Sequence, residues 1–299
     1  SDSCEVCNAQ VGNPINTATG EKEVNETDWV DSAPHPLTFD RFFRSFSTTN
    51  WGLGAGWSHK FQATISKSDS EAYIRFGSGA KVTFLRAGAT APWVADNGRD
   101  GLLESATTLT YLRASDETRW TFDAAGRLTA ITERNGWTYS LLYDASNRLI
   151  RITNAFGRRL NLSYNAAGRL ESVYPPDDAA TSFTYDGAGR LITALRSVSP
   201  RSYQYEDARW PAYLTGITFF PDTRYATFAY DEAGRAVSTQ HAEGSQKYEV
   251  TYSVATPARG GLVAGAANES GLYSATTRVL SPTGATQEFV FAGGNGRIE

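Results

Sequence analysis

Apolar and polar residues alternate along most of the chain beyond residue 105. One run places Trp137, Tyr139, Leu141 and Tyr143 at every second position, and later runs repeat the pattern. A period of two is typical of β-strands, whereas a helix would space its apolar residues by three or four. Glycine, asparagine and aspartate separate the runs, as expected for tight turns between strands. The pattern predicts an all-β protein.

The alternating runs recur at a spacing of about 21 residues, which marks a repeat architecture. A second strand follows each run, as at Leu128–Thr132 and Leu149–Thr153, and a further turn such as Asn135-Gly136 closes the unit. Each unit is therefore predicted to be two strands and two turns, with successive units paired into one long, curled antiparallel sheet. The aromatic anchors of the units are Phe122, Tyr143, Tyr164, Tyr185, Tyr205, Tyr230 and Tyr252, with a possible further anchor at Phe291.

A short turn motif follows most anchors. It begins with Asp or Asn, has Gly or Asn three positions later, and continues with Arg. An aspartate side chain caps backbone N–H groups at a turn, and glycine supplies the left-handed conformation, which asparagine also tolerates. The motif residues are Asp123, Gly126, Arg127, Tyr143, Asp144, Asn147, Arg148, Tyr164, Asn165, Gly168, Arg169, Tyr185, Asp186, Gly189, Arg190, Tyr230, Asp231, Gly234 and Arg235.

The acids of this motif are predicted to be turn residues. Asn165 replaces the acid in one copy, and an amide cannot perform acid–base catalysis although it caps a turn equally well. The arginines are predicted to stack on an anchoring aromatic ring or to pair with the aspartate of a neighbouring turn. Alternatively, they form a solvent-facing ladder that protects the sheet from aggregation.

The repeated Tyr-Asp-x-x-Gly-Arg-Leu motif resembles the YD repeat of bacterial RHS (rearrangement hotspot) proteins, wall-associated proteins and teneurin shells. Three earlier stretches, 12–22, 37–47 and 53–61, resemble the domain that precedes such repeats. The resemblance implies an N-terminal RHS-associated domain over residues 1–105 and a YD-repeat sheet over residues 106–299. It also implies a spiralling β-shell, which in many members encloses a C-terminal toxin.

Several features predict a piece of a longer polypeptide. The chain has no methionine, which we interpret as processing or trimming. No core segment or toxin follows the repeats, and the last residues, 291–299, look like the start of another unit. Six or seven hairpins predict about a dozen strands, a sheet on the order of 60 Å wide. Such a partial shell would expose its last edge, so self-association through that edge is possible.

Composition and motifs narrow the possible functions. The 299 residues carry a net charge of −4 without a basic stripe, so no nucleic-acid partner is expected. No apolar run is long enough to span a membrane. No nucleophile elbow or phosphate loop occurs, and His35, His59 and His241 do not form a metal motif. We therefore expect no enzyme, cofactor or metal, with an unrecognised carboxylate-based hydrolase acting on glycans as the remaining enzymatic alternative.

Two further sets of residues are candidates for specific roles. Cys4 and Cys7 are predicted to form a local disulfide or to remain inert thiols. Exposed aromatic rings on a sheet suit stacking on sugars, although packing within the sheet is the stronger interpretation. The candidates for glycan stacking are Trp51, Trp57, Trp93, Trp137 and Trp210.

The combined prediction is a structural segment of a secreted or cell-surface bacterial RHS-type protein. Its role would be to enclose or display another part of its own polypeptide, such as a toxin used in bacterial competition. The alternative function is a carbohydrate-binding adhesion module at the cell surface.

Overall fold

The computed structural model describes residues 10–176, 179–197, 199–253 and 272–294. Within these residues the chain forms β-strands in four antiparallel sheets, together with one short 3₁₀ turn at Ala242–Gly244. The all-β fold that the alternation predicted is confirmed.

The largest sheet has 17 strands, and each strand pairs only with its neighbours in sequence. It is a continuous meander, about 80 Å wide at the usual spacing between strands. The prediction of about a dozen strands was too low, because β-hairpins without the turn motif extend the sheet at both ends. The strands are β10 (Gly101–Glu104), β11 (Thr108–Arg113), β12 (Thr118–Asp123), β13 (Leu128–Thr132), β14 (Thr138–Tyr143), β15 (Leu149–Thr153), β16 (Arg159–Tyr164), β17 (Leu170–Tyr174), β18 (Thr181–Tyr185), β19 (Leu191–Arg196), β20 (Ser199–Gln204), β21 (Gly216–Phe219), β22 (Thr223–Tyr230), β23 (Ala236–His241), β24 (Tyr248–Tyr252), β25 (Leu272–Leu280) and β26 (Thr286–Gly294).

The strand register places apolar residues on one face of this sheet. Leu141 lies opposite Ile152, which in turn lies opposite Leu160 on the following strand. All three are buried. Since side chains alternate between the faces of a strand, this register directs one apolar row of every repeat into the same core.

Three smaller sheets precede the large one. The first joins two short strands, the second has three strands and the third has four. Their strands are β1 (Gln10–Val11) and β2 (Ile15–Asn16); β3 (Glu23–Val30), β4 (Thr38–Arg44) and β5 (Trp57–His59); and β6 (Ala63–Lys67), β7 (Glu71–Phe76), β8 (Lys81–Leu85) and β9 (Val94–Ala95).

The N-terminal strands cover the apolar face of the large sheet. The ring of Phe39 on β4 lies 6.3 Å from that of Phe183 on β18, and the Trp57 ring on β5 lies 4.8 Å from Tyr203 on β20. All of these side chains belong to one contiguous buried cluster. The face that the repeats cannot bury by themselves is therefore packed against the N-terminal part of the same chain.

The large sheet is open. Its first strand, β10, and its last strand, β26, are not paired with each other, so the described residues do not close into a barrel. Among the helical residues that the structure describes, none form a segment long and apolar enough to cross a membrane.

Candidate functional site

The repeated turn after each anchor is a closed hairpin corner. In the second corner the N–H of Asn147 donates to the carbonyl of Asp144 at 3.0 Å, and the N–H of Asp144 donates to the carbonyl of Arg148 at 2.9 Å. The Asp144 carboxylate accepts the N–H groups of Ser146 and Arg148, both at 2.9 Å. The same side-chain bonds occur at Asp123, Asn165, Asp186 and Asp231.

The fourth residue of each corner has a positive φ. Asn147 has φ of 61°, and the glycines in the equivalent position have φ between 74° and 81°. This left-handed region is costly for most side chains, and glycine and asparagine enter it most readily. The glycines are Gly126, Gly168, Gly189 and Gly234.

The corner arginine forms an ion pair within its own turn. The Nε atom of Arg148 donates to Asp144 at 2.8 Å, and Arg127, Arg190 and Arg235 pair with their own aspartates in the same way. Of the two predicted arrangements, the structure shows the stacking on an anchoring aromatic ring, whereas the aspartate that pairs with each of these arginines is that of its own turn. Backbone and side-chain donors of Arg148 hold the pKa of Asp144 below its usual value, unlike that of a catalytic acid.

Each corner is also bonded to the next unit. The Arg148 guanidinium lies 5.1 Å from the centre of the Tyr164 ring, and the Tyr164 hydroxyl donates to the carbonyl of Leu149 at 2.8 Å. The backbone pairing of β15 with β16 runs only from Arg151–Asn161 to Thr153–Arg159 and does not include Leu149, so the hydroxyl bonds to the Leu149 carbonyl beyond the end of that pairing. The equivalent stacked pairs are Arg127–Tyr143, Arg169–Tyr185, Arg190–Tyr205 and Arg235–Tyr252.

The arginines also explain why the corners differ at the left-handed position. Nη1 of Arg127 donates to the side-chain oxygen of Asn147, a bond that glycine could not accept. At Gly189 the guanidinium of Arg169 occupies the space instead, and a Cβ there would lie 2.1 Å from its Nη2. Asparagine is thus both tolerated and used in the second corner, while in the fourth corner the Arg169 guanidinium lies where a side chain at position 189 would begin.

Glycine-rich loops of the N-terminal part bind the corners through backbone groups. The carbonyl of Gly52 accepts the N–H of Leu170, and the carbonyl of Gly20 accepts the N–H of Ala236, each at 2.8 Å. A Cβ on Gly54 would lie 2.9 Å from the carbonyl oxygen of Gly189. The N-terminal glycines therefore lie where the chain passes directly against the repeats.

A buried ion cluster joins the N-terminal sheet to the repeats. Arg41 on β4 has no exposed surface, and its guanidinium bonds to Asp28, Glu26 and the Tyr203 hydroxyl. Its Cζ atom lies 4.9 Å from the centre of the Trp57 ring. The sequence did not reveal this cluster, since Tyr203 lies more than 150 residues from its partners and only folding brings them together.

One aromatic pair is exposed at the turns opposite the corners. Trp137 is 38% exposed and Phe156 is 55% exposed, and their rings lie 5.1 Å apart. Beside them His35 is buried, and its ring centre lies 3.9 Å from that of Tyr139. The His35 Nδ1 atom accepts the N–H of Ala155, and Glu133 lies 3.7 Å from its Nε2 atom.

Three of the other tryptophans proposed for glycan stacking pack against protein groups. Trp57 is fully buried, which removes it from the candidates. Trp210 stacks on Tyr213 at 5.2 Å, and Trp93 lies beneath the Arg86 guanidinium at 4.0 Å. Trp51 is half-buried. Cys4 and Cys7 lie outside the described residues.

The described residues contain no group of three or more His, Cys, Asp or Glu side chains arranged to hold a metal ion. His59 is buried beside Phe39, and burial lowers its pKa to about 3. The neighbouring Ser58 hydroxyl donates to the carbonyl of Gly77 rather than to a base. These two residues therefore pack as polar groups of the core.

Two family models match the chain. One, described as Teneurin YD-shell, matches residues 106–263, more than half of the chain. The other, described as a domain of unknown function (DUF6531), matches residues 12–84. A comparison with curated proteins finds no match.

Solved structures of toxin complexes are distantly similar. The crystal structure of TcdB2-TccC3-TEV is 11% identical with a TM-score of 0.36, over 91% of this chain and 17% of that one. The structure of the Photorhabdus luminescens Tc holotoxin pore is 14% identical with a TM-score of 0.35, over 93% of this chain and 14% of that one. The chain thus spans less than a fifth of the length of these two structures.

Proposed function

The chain belongs to the teneurin YD-shell family, and we propose that it is a structural segment of a shell in a longer polypeptide. In this proposal the shell encloses or displays a C-terminal domain, such as a toxin, that is absent from these 299 residues. The proposal rests mainly on the 17-stranded sheet. Its corners are bonded to the next unit, and its apolar face is packed against the N-terminal strands.

A secreted or cell-surface location in bacteria, with a role in competition between cells, is part of this proposal. So is the division into an N-terminal domain, residues 1–105, and a repeat sheet, residues 106–299. The strand β10 lies before that boundary and yet pairs with β11. The division therefore describes sequence motifs better than it describes sheets.

Proteolysis of the full polypeptide tests enclosure. The segment downstream of residue 299 should resist protease in the intact protein and be digested when it is expressed alone. Equal digestion in both contexts would contradict enclosure and leave display as the role of the sheet. A downstream sequence that lacks any further domain would contradict both roles.

The shell role would require a partner for the last, open edge of the large sheet. Strand β26 has nine residues and pairs on one side only within the described part of the chain. Its free backbone groups are suited to accept another strand. We propose that further repeats of the same polypeptide cover this edge, with self-association of the isolated chain as the alternative. Sedimentation of the isolated chain over a range of concentrations tests the alternative.

Carbohydrate binding is a second candidate function, and the exposed Trp137–Phe156 pair is the observation that favours it. Aromatic faces with this exposure suit stacking on a sugar ring. A glycan array with the wild-type chain and a Trp137→Ala variant tests the idea. It would fail if no glycan binds, or if the variant binds like the wild type.

We propose no enzymatic role. Glu26 and Asp28, two buried carboxylates on the same strand, are both held by Arg41. A glycan hydrolase is the alternative, and hydrolysis of a glycan that is abolished by Glu26→Gln would establish it.

A further inference from the structure

The loop that joins β3 to β4, residues 31–37, packs against the turns of the first two repeats. At the base of this loop the N–H of Asp31 donates to the carbonyl of Leu37 at 2.8 Å. Its outer part contacts the two turns at residues 133–137 and 154–158, which lie opposite the corners. We call residues 31–37 the β3–β4 loop. It is one of the contacts that join the N-terminal part to the repeats.

His35 lies at the centre of this contact. It is 2% exposed, and its ring centre lies 3.9 Å from that of Tyr139 and 5.4 Å from that of Trp137. Its backbone has φ of 52°, a left-handed conformation that is uncommon for residues other than glycine. Such a conformation persists where the surrounding contacts hold it. The shape of the loop therefore depends on the contacts of this one residue.

The hydrogen bonds of His35 require its neutral form. Its Nδ1 atom accepts the N–H of Ala155 at 3.1 Å, and its backbone carbonyl accepts the Asn154 side chain at 2.8 Å. An acceptor nitrogen carries no proton, so the neutral ring carries its proton on Nε2. A second proton would have to bind Nδ1, where it would point at the N–H of Ala155. Two donors cannot bond to each other, so protonation of His35 breaks this contact.

The charged groups around His35 compensate a second proton only weakly. Glu133, on the turn after β13, lies 3.7 Å from the Nε2 atom, and 36% of its side chain is exposed, so water screens its charge. Asp31, on the loop itself, is paired with Arg158 on the turn after β15, at 2.8 Å. Tyr139 on β14 remains neutral, because burial raises its pKa to about 12. Burial lowers the pKa of His35 and Glu133 opposes that shift, so the second proton binds below the usual value of about 6.5.

We propose that the β3–β4 loop is a pH-sensitive contact, in which protonation of His35 detaches the loop from the repeats and uncovers the ring faces of Trp137 and Tyr139. The loop is bound while His35 is neutral, and it separates in acid. The aromatic surface that this movement uncovers continues the exposed pair of Trp137 and Phe156. The movement is independent of the shell role and of glycan binding, and it would occur whether or not the chain encloses another domain.

The movement is limited to the outer part of the loop. The Tyr139 hydroxyl donates to the carbonyl of Pro36 at 2.9 Å, beside His35, and this bond is lost when the ring separates. The ion pair between Asp31 and Arg158 remains in mild acid. Although burial opposes ionisation of Asp31, hydrogen bonds from Arg158 and from backbone N–H groups of the loop lower its pKa below the usual value. The first residue of the loop therefore stays attached to the repeats.

Hydrogen exchange of the whole chain, followed by mass spectrometry at pH 7.5 and pH 5.0, tests the proposal. The rates are corrected for the pH dependence of chemical exchange. The amides of residues 31–37 and 154–158 should exchange about tenfold faster at pH 5.0, because the bond between Ala155 and His35 is lost. The corner at residues 186–190 should keep its protection, since hydrogen bonds hold the pKa of its aspartate below the usual value although burial opposes them.

His35→Asn is the variant that separates titration from structure. The asparagine Oδ1 atom occupies the place of Nδ1, asparagine tolerates a positive φ, and it does not titrate. Its exchange in both segments should be the same at the two pH values. His241→Asn is the matched control, because the His241 ring contacts Tyr225 away from the loop. It should show the same acid effect as the wild type.

The proposal is overturned if wild-type exchange in residues 31–37 and 154–158 is unchanged at pH 5.0, or if the corner at residues 186–190 loses protection to the same degree. It is also overturned if folded His35→Asn shows the acid effect of the wild type. If His35→Asn does not fold, the comparison of the two segments with the corner in the wild type decides.

Discussion

At the scale of single residues, the repeated corner has two separate requirements. The backbone demands a residue that accepts a positive φ, and the space around that residue decides which one fits. A Cβ at Gly126 would lie 2.2 Å from the carbonyl oxygen of Ile65, whereas nothing lies within 4 Å of a Cβ at Gly168. Asn147 occupies a corner in which a side chain has room and gains a bond from Arg127. The local motif is therefore one conformation in several different environments.

Asparagine substitutions at two glycines test this distinction. Gly168→Asn should change the free energy of unfolding by less than about 1 kcal/mol, because asparagine tolerates the conformation and the space is open. Gly126→Asn should cost more than about 2 kcal/mol, because its Cβ displaces the hydrogen bond between Ile65 and Gly126. Urea unfolding of both variants measures the difference. Equal costs would contradict the steric explanation.

His35 predicts a pH dependence of stability. Burial lowers its pKa, while Glu133 opposes the shift, and its Nδ1 atom already accepts a backbone N–H. Because the folded state binds the proton less readily than the unfolded state, the His35 contribution is fully present above the usual histidine pKa of about 6.5 and decreases as the pH falls below it.

Urea unfolding at pH 7.5 and pH 5.5 checks this prediction. The wild type should lose more stability between these values than His35→Gln does. His241→Gln is the control, since that histidine contacts Tyr225 far from His35 in sequence. Identical losses in the wild type and His35→Gln would show that His35 does not titrate as expected.

At the scale of elements, each repeat is held to the next by a stacked arginine and a tyrosine hydroxyl. The hydroxyls of Tyr143, Tyr164 and Tyr185 donate to the carbonyls of Leu128, Leu149 and Leu170, at 2.6–2.8 Å. Burial raises the pKa of Tyr143 to about 12, so its hydroxyl remains a donor throughout the physiological range. The strand pairing and these contacts between corners therefore stabilise the same order of repeats.

Tyr164→Phe removes one of these hydroxyl hydrogen bonds. It should lower the free energy of unfolding by about 1–2 kcal/mol, because the carbonyl of Leu149 loses its donor while the ring stays in place. Tyr225→Phe, in which the ring stacks on Phe219 outside the corners, should have a smaller effect. Thermal and urea unfolding of the two variants measure this difference. A larger effect at Tyr225 would contradict the stabilising role of the tyrosine hydroxyls at the corners.

At the scale of the whole molecule, the N-terminal part and the repeats form one core. The buried Arg41 cluster and the loop contacts at Leu170 and Ala236 join them. An open sheet of this size would otherwise expose a continuous apolar face. The stability of the repeats should thus depend on residues far away in sequence.

Arg41→Met tests this dependence. It should cost about 3–5 kcal/mol, because Glu26 and Asp28 would remain buried with only the partly exposed Arg201 beside them. Adding Glu26→Gln and Asp28→Asn should recover part of the loss. Arg278→Met is the control, since its ion pair with Glu288 is exposed and should contribute less than about 1 kcal/mol. Equal losses for Arg41→Met and Arg278→Met in urea unfolding would contradict the role of the cluster.

The amino-acid sequence by itself determined the strands, the repeat and the family. Strand alternation and turn chemistry are local properties, so the observed strands Leu128–Thr132 and Leu149–Thr153 match the predicted bounds. The use of asparagine at position 147 was also predicted from local conformation. These features require only neighbours along the chain.

Tertiary structure alone decided which groups meet. It stacked each corner arginine on the tyrosine of the next unit, buried Trp57 and joined Arg41 to Tyr203. It also placed His35 against Ala155 and made Gly126 less replaceable than Gly168. These contacts join residues that are distant in the chain, so they depend on the packing of one sheet against another, which local periodicity does not specify.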